Sequence, residues 1–155
     1  MWFSRKQLAK EPGGGASAAG TENQPGQITT KRLGDAAELL AQAHLVRAGL
    51  TLVQANYRTP GRGGGEVDLI MRAPDGTLVF VEVRQRASAS HGGAGASIGR
   101  VKQQRIVLAA QHYLMRFARV PPCRLDVVLV EGTLGLADGS GTPKIEWLVA
   151  AFDAF

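Results

Sequence analysis

Two neighbouring segments that combine acidic residues with apolar runs constrain the fold of this sequence more than any other feature. They are Glu66–Arg72 (EVDLIMR) and Thr77–Arg84 (TLVFVEVR), and the APDG between them is typical of a tight turn. The pattern therefore predicts an antiparallel β-hairpin. Because the turn is centred between the two segments, Asp68 is predicted to lie opposite Glu82, within one residue.

The two acids of this hairpin create an electrostatic conflict. Like charges that face each other across strands are destabilising, and a buried carboxylate needs a partner or a raised pKa. A divalent cation would relieve the conflict between Asp68 and Glu82, because Mg²⁺ binds one or two carboxylates together with water and phosphate oxygens. Glu66 and the Val83 carbonyl could assist. The alternative is a solvated face on which the acids pair with arginines, but the flanking apolar runs VDLIM and VFVEV favour the metal site.

A long basic stretch follows the hairpin, since residues 84–124 include eight basic residues and no acidic one. They are Arg84, Arg86, Arg100, Lys102, Arg105, Arg116, Arg119 and Arg124. An acidic pair followed by such a stretch is typical of a site that binds a metal and then a phosphodiester backbone. A solvated helix face is the other interpretation, and it suits Arg116 and Arg119. Lys102 lies one helical turn before Ile106, so its side chain should either extend toward the acids or snorkel at the helix end.

The rest of the sequence predicts two helices and three further strands. The first helix should begin at Thr29 or Thr30 and end at Gly49, and the second should run from a cap at Ser97 to about Ala118. The further strands are Thr51–Arg58, Arg124–Glu131 and Lys144–Phe152. The order α-β-β-β-α-β-β favours an α/β fold with a central mixed β-sheet of four or five strands flanked by α-helices.

This fold is expected to occupy one domain, residues 31–155, because about 100–200 residues is the usual length of a domain. The apolar stripe of the first helix is predicted to be Leu33, Ala36, Ala37, Leu40 and Ala43. The predicted core is Leu40, Leu69, Val79, Val81, Ile106, Val127 and Leu129. Residues 1–30 carry too little apolar area to offset the entropy of ordering, so they are predicted to be a disordered or weakly ordered tail.

Composition limits the classes of function and the compartment. One cysteine, Cys123, excludes an intrachain disulfide and a four-cysteine zinc site, and the three histidines do not pair at metal-ligand spacing. No apolar run reaches the ~18 residues of a membrane span, and the first residues lack the apolar region of a signal peptide. We therefore expect a cytoplasmic protein with no membrane partner. The net charge of +5 is compatible with a polyanionic partner.

Several of these motifs occur together, and in the same order, in one known family. GEVDLI at residues 65–70 and FVEV at residues 80–83 make up the hairpin. The other matching residues are Gly34, Glu38, Ala41, Leu45, Asn56, Arg58, Lys102, Arg105, Ile106, Asp126, Ala151 and Phe152. Over residues 31–152 the sequence thus resembles the YraN-like family of small bacterial proteins, which are predicted nucleases of the restriction-endonuclease-like PD-(D/E)XK superfamily.

The resemblance implies a metal-dependent endonuclease with a restriction-endonuclease-like core. Asp68 and Glu82 would bind Mg²⁺ or Mn²⁺, with Glu38 as an added acid and Glu66 as a supporting acid. The substrate would be branched or single-stranded DNA rather than a fixed sequence, because a single domain leaves little surface for reading base edges. A homodimer would supply the two sites that two cuts in a duplex need. The predicted contacts to nucleic acid are Arg58, Arg84, Arg86, Arg100, Lys102 and Arg105.

The sequence departs from the family pattern at Arg84, where the superfamily has a lysine that orients water and stabilises charge on the phosphate. Arginine binds phosphate well but cannot give up a proton to act as a base. Three interpretations stay open: Arg84 suffices as an electrostatic stabiliser, Lys102 supplies the ammonium, or the protein binds nucleic acid without cutting it. A protein–protein scaffold, with acids paired to arginines, is a fourth. The predicted catalytic residues are Asp68, Glu82, Arg84 and Lys102.

Overall fold

The chain folds as one five-stranded mixed sheet with a helix on each face, in a computed structural model that describes residues 29–86, 98–132 and 141–154. The elements are α1 (Thr30–Arg47), β1 (Thr51–Arg58), β2 (Glu66–Arg72), β3 (Leu78–Arg86), α2 (Arg100–Leu114), β4 (Cys123–Glu131) and β5 (Lys144–Leu148). The strands lie in chain order, β3 and β4 are parallel, and the other neighbours are antiparallel. The predicted α/β fold class is therefore confirmed, and it is consistent with a restriction-endonuclease-like core.

Some predictions concern parts of the chain outside these ranges. The tail up to residue 28 and the cap at Ser97 lie outside the described residues. Within them, no helix is long and apolar enough to cross a membrane.

The β2–β3 hairpin has the register that the sequence predicts. Leu69 pairs with Val81, and Arg72 pairs with Leu78. In the turn, Gly76 adopts a φ of 89°, which glycine tolerates without a steric cost, and its N–H donates to the Ala73 carbonyl at 2.9 Å. The turn therefore sets which residues of the two strands meet at the far end of the hairpin.

Each face of the sheet carries its own apolar core, because successive strand residues point to opposite sides. The core under α1 includes Leu69, Val79 and Val81, together with Val128 and Val130 of β4. The core under α2 contains Ile70, Leu78, Phe80, Val127, Leu129 and Ile106. All of the predicted core residues are buried except Leu40, which is half-buried. The central strands β3 and β4 are thus covered on both sides, as parallel pairs usually are.

Helix α1 begins and ends where the sequence predicts. The Thr29 hydroxyl accepts a hydrogen bond from the Arg32 N–H at 3.3 Å, which caps the first turn. At the other end, Gly49 has a φ of 97° and Leu50 N–H donates to the Leu45 carbonyl at 3.0 Å, as in a Schellman motif. The predicted apolar stripe was wrong at Ala43, which is exposed. The buried row instead continues from Ala37 through Ala41 to Leu45, at the four-residue spacing of one helix face.

Strands β1 and β2 have the predicted bounds, whereas β3, α2, β4 and β5 differ from the sequence predictions by a few residues at one end or both. Helix α2 starts after Gly99 and ends at Leu114, short of Ala118, because the chain there must turn to enter β4. Strand β5 ends at Leu148, not at Phe152. The reason is a turn at Ala150, whose φ of 49° does not continue the extended strand.

That turn is held by the buried carboxylate of Asp126 on β4. Its oxygens accept hydrogen bonds from the Ala150 N–H and the Trp147 Nε1–H, both at 2.9 Å. Arg124 Nε lies 3.1 Å from Asp126 Oδ1 and supplies the compensating charge. Since a buried charge is tolerated only when it is paired and hydrogen-bonded, Asp126 has a structural task here.

Candidate functional site

The two acids of the hairpin meet where the β2–β3 backbone pairing ends. The register that pairs Leu69 with Val81 brings Asp68 across from Glu82 at the next position. The Val83 N–H donates a hydrogen bond to Asp68 Oδ2 at 2.8 Å. At this position the Asp68 side chain accepts the hydrogen bond that a backbone carbonyl accepts elsewhere in the hairpin. Glu82 is only 4% exposed and Asp68 is half-buried. The predicted juxtaposition of these two acids is therefore present.

The environment of Glu82 disfavours its negative charge. Burial, and next the charge of Asp68, raise the pKa of Glu82 to about 8. Burial also raises the pKa of Asp68, although the Val83 N–H and Lys102 oppose it. Glu82 Oε2 is buried and has no hydrogen-bond partner among the described residues. A proton or a cation at this pair would therefore relieve the repulsion between the two carboxylates.

Lys102 reaches these acids from helix α2. Its Nζ lies 3.2 Å from Glu66 Oε1 and 3.4 Å from Glu82 Oε1, so the inward orientation is the one adopted. Burial by itself would lower the pKa of Lys102, but Glu82, Glu66 and Asp68 outweigh it, and the pKa is raised. Lys102 is therefore a cation at neutral pH, fixed between the carboxyl groups of Glu66 and Glu82.

Glu66 lies at the start of β2 and has cations on both sides. In addition to Lys102, Arg58 Nε of β1 is 3.5 Å from Glu66 Oε2. Partial burial would raise the pKa of Glu66, but the hydrogen bond and charge of Lys102, with Arg58 and Arg105, lower it. Glu66 is therefore ionised, in contrast to Glu82.

Glu38 approaches the acid pair from α1. Burial and the charge of Asp68 raise its pKa, and a hydrogen bond with Asn56 opposes them. The Glu38 side chain lines a cavity of about 220 Å³ between α1 and β1, together with Asp35, Gln42 and Asn56. The Asn56 backbone is left-handed, with a φ of 52°, which asparagine tolerates better than most residues. The predicted added acid, Glu38, thus interacts electrostatically with Asp68 from helix α1.

The remaining predicted residues surround this centre at different places. Arg84 is half-buried on the same face of β3 as Glu82, and Arg86 ends that strand, where its carbonyl accepts from the Gly132 N–H at 2.9 Å. Arg105 Nε donates to the Gly64 carbonyl at 3.3 Å. Arg100 is exposed at the start of α2 and lines a separate groove of about 460 Å³ with Phe152 and Asp153. The centre of the candidate site is the group of residues joined by direct ion pairs, which are Arg58, Glu66, Lys102 and Glu82.

Gly65 is the site residue whose role could not be read from local patterns. A Cβ at this position would lie 1.8 Å from the Arg105 carbonyl oxygen and 2.9 Å from the Ala109 nitrogen, both in the α2 backbone. Its own N–H donates to Thr59 Oγ1 at 2.8 Å, which fixes the loop before β2. Close approach of α2 at Gly65 brings Lys102 to the acids. The sequence signals for Gly65 are its place directly before the acidic strand and at the start of the GEVDLI motif.

The donor set suits a divalent cation bound mainly through water. Within residues 29–86, 98–132 and 141–154, no three or more His, Cys, Asp and Glu side chains are arranged to hold a metal ion. Two carboxylates are nevertheless sufficient for Mg²⁺, which retains several waters and recruits phosphate oxygens. Glu82 Oε2, which is buried beside Asp68 without a hydrogen bond from the described part of the chain, is a hard donor of the required kind. The residues present therefore fit such an ion.

The raised pKa of Glu82 makes the stability of the metal-free protein depend on pH. The unfolded chain loses this proton near pH 4.5, whereas the folded protein keeps it to about pH 8. Between these values the unfolded state binds fewer protons, so the free energy of unfolding should fall as pH rises. Urea unfolding from pH 5 to pH 8 measures the slope. Glu82→Gln should flatten it, and equal slopes in the two proteins would contradict the assignment.

Comparison with known proteins identifies relatives along the whole chain. The model of the family described as "Uncharacterised protein family UPF0102" matches residues 37–130. A UPF0102 protein of Polaromonas sp. (strain JS666) is 66% identical over 154 residues, covering 99% of each chain. Another, from Polaromonas naphthalenivorans (strain CJ2), is 65% identical over 160 residues with the same coverage. A third, from Albidiferax ferrireducens, is 64% identical over 126 residues, covering 81% of this chain and 91% of the relative. The chain therefore belongs to the UPF0102 family, the YraN-like family that its motifs resemble.

Proposed function

We propose that this protein is a divalent-metal-dependent endonuclease of the restriction-endonuclease-like superfamily that hydrolyses phosphodiester bonds in DNA. The observation that carries the proposal is the opposed pair Asp68 and Glu82, in which one buried oxygen of Glu82 lacks a hydrogen-bond partner among the described residues. A buried pair of acids of this kind, with a single cation 3.4 Å from Glu82, is costly unless a further positive charge or a proton offsets it. Binding of a cation at the pair as part of the protein's function would explain why the fold keeps two acids at a position where they destabilise it.

Different residues at and around the acid pair would have separate roles in phosphodiester hydrolysis. Asp68 and Glu82 would hold Mg²⁺ or Mn²⁺, which when bound supplies a Lewis acid and an acidified water. Lys102 is fixed 3.4 Å from Glu82 as a permanent cation, so it would stabilise negative charge on the phosphate. Arg84, on the same face of β3, would contact a phosphate oxygen but would not act as a base. This geometry favours Lys102 as the ammonium that replaces the motif lysine.

The substrate that suits this arrangement is structured DNA, such as a branch or a single-stranded region, cut without a fixed sequence. The basic residues near the acids are suited to phosphates, which carry no sequence information. We further propose a cytoplasmic location, and a homodimer for two cuts in a duplex. A catalytically inactive nucleic-acid-binding protein is the second candidate, and Arg84 at the lysine position is the observation that favours it.

Thermal melting of the wild type and Asp68→Asn, with and without Mg²⁺ or Mn²⁺, tests the metal site. A metal that binds only the native state raises the melting temperature by mass action, so we expect an upward shift in the wild type that Asp68→Asn abolishes. Cleavage of branched DNA by the same samples should follow the shift.

Three other outcomes would change the assignment. DNA binding that weakens with salt, with no metal shift and no cleavage, would select the inactive binding protein. Absence of DNA binding at low salt as well would leave a structural scaffold. A Glu82→Leu variant that kept both cleavage and metal binding would remove the acid pair from the proposed site.

A further inference from the structure

Glu66 joins two cationic side chains that come from distant parts of the chain. Its Oε1 lies 3.2 Å from Lys102 Nζ on α2, and its Oε2 lies 3.5 Å from Arg58 Nε at the end of β1. Arg58 and Glu66 are also direct partners in the β1–β2 pairing, which fixes their backbones side by side. Both oxygens of Glu66 therefore face cations, unlike Glu82 Oε2, for which the described ranges of the chain hold no hydrogen-bond partner.

From this geometry we infer that Glu66 is a positioning residue, which holds Lys102 and Arg58 together as a binding site for a DNA backbone phosphate, and is not a metal ligand. The inference rests on the proposed function, because it takes the phosphate to be that of a DNA substrate. It differs from the expectation that Glu66 supplements the metal-binding acids.

The energetics of the Arg58–Glu66 ion pair support a positioning role over a structural one. The Arg58 side chain is 75% exposed, and an exposed pair contributes little to folding stability because water screens it. The contacts with Glu66 still restrict the side chains of Arg58 and Lys102 before a ligand arrives. The conformational entropy lost on binding is therefore smaller. A pre-ordered pair of cations therefore binds phosphate more tightly than two free ones.

Charge and donor geometry identify phosphate as the ligand. Three cations, Arg58, Lys102 and Arg105, act on Glu66, but Lys102 also pairs with Glu82 at 3.4 Å, so Arg58 is the cation with the most charge left for a ligand. A guanidinium has five N–H donors in a planar fork, and the pair with Glu66 engages Arg58 through Nε. Donors of Arg58 beyond that pair can face two oxygens of a phosphate.

A double-mutant cycle on metal-free DNA binding tests the inference without any cleavage. Affinity for a labelled branched DNA is measured for Arg58→Met in the wild-type, Glu66→Gln and Glu146→Gln backgrounds. Glu146→Gln is the matched control, since it removes the same charge from an exposed residue of β5. We expect the loss caused by Arg58→Met to be at least about threefold smaller with Glu66→Gln than in the wild type, and unchanged with Glu146→Gln.

The same cycle with Lys102→Met should show the same coupling. Because Arg58 is largely exposed, Arg58→Met keeps the test decisive even if Lys102→Met does not fold. Equal losses in all three backgrounds would overturn the inference, as would absence of DNA binding by the wild type.

Metal-dependent melting separates this inference from the proposed function. Glu66→Gln should keep the metal-induced shift that Asp68→Asn loses, and loss of the shift in Glu66→Gln would make Glu66 a ligand and overturn the inference. Coupling without cleavage by the wild type would support the phosphate site and contradict the nuclease. Cleavage by the wild type without coupling would support the nuclease and contradict the phosphate site.

Discussion

Gly65→Ala is expected to destabilise the protein by about 3 kcal/mol or more, at the upper end of what overpacking costs. The added Cβ would lie 1.8 Å from the Arg105 carbonyl oxygen, which belongs to the helix backbone and cannot rotate away. Helix α2 would have to move off the sheet, and the apolar core under it would open. For a domain of this size the melting temperature should fall by about 10 °C or more.

Gly34→Ala is the matched control for this prediction. Gly34 lies within α1, and a Cβ there would meet no described residue within 4 Å apart from the neighbouring backbone of its own helix. Alanine is favoured over glycine in a helix by roughly 0.5–1 kcal/mol, so this variant should be neutral or slightly more stable. Thermal and urea unfolding of both variants measure the difference. A Gly65→Ala protein as stable as the wild type would mean that α2 does not pack this closely on the loop before β2.

Lys102→Met is expected to reduce DNA cleavage by on the order of 10²–10³-fold, the usual cost of removing one pre-organised charge at a developing anion. In the proposed reaction the ammonium, fixed at the acid pair, would act on charge that grows at the phosphate, so the loss should appear mainly in kcat. Lys102→Arg retains the positive charge and should recover part of the rate. Single-turnover cleavage of branched DNA at saturating metal checks both variants.

Arg84→Met is the comparison that decides which cation replaces the motif lysine. Arg84 is half-buried two residues beyond Glu82, and we expect its removal to lower kcat by less than about tenfold. The opposite ranking, with Arg84→Met inactive and Lys102→Met close to the wild type, would assign the task to Arg84. Melting curves of each variant should accompany the kinetics, because Lys102→Met leaves Glu82 and Glu66 without their shared cation.

Local sequence patterns were sufficient for the hairpin and its acids. The alternation of apolar residues and the APDG turn predicted that Asp68 would face Glu82, and the observed register agrees. Both α1 caps were also predictable, because a threonine cap and a left-handed glycine act within a few residues. Predictions that needed distant contacts were less accurate. The end of β5 depends on the Asp126 carboxylate of β4, and no pattern within β5 records that contact.

The sequence alone determined which groups form the centre of the site, because strand periodicity and turn chemistry are local properties that a short segment expresses by itself. Only the tertiary structure decided which cations serve those groups. Lys102 had two orientations open to it on its own helix, and the close packing of α2 on Gly65 selects the one toward Glu66 and Glu82. The physical reason is that an ion pair between remote segments exists only once helix and sheet have docked, and the apolar core under α2 determines where they dock.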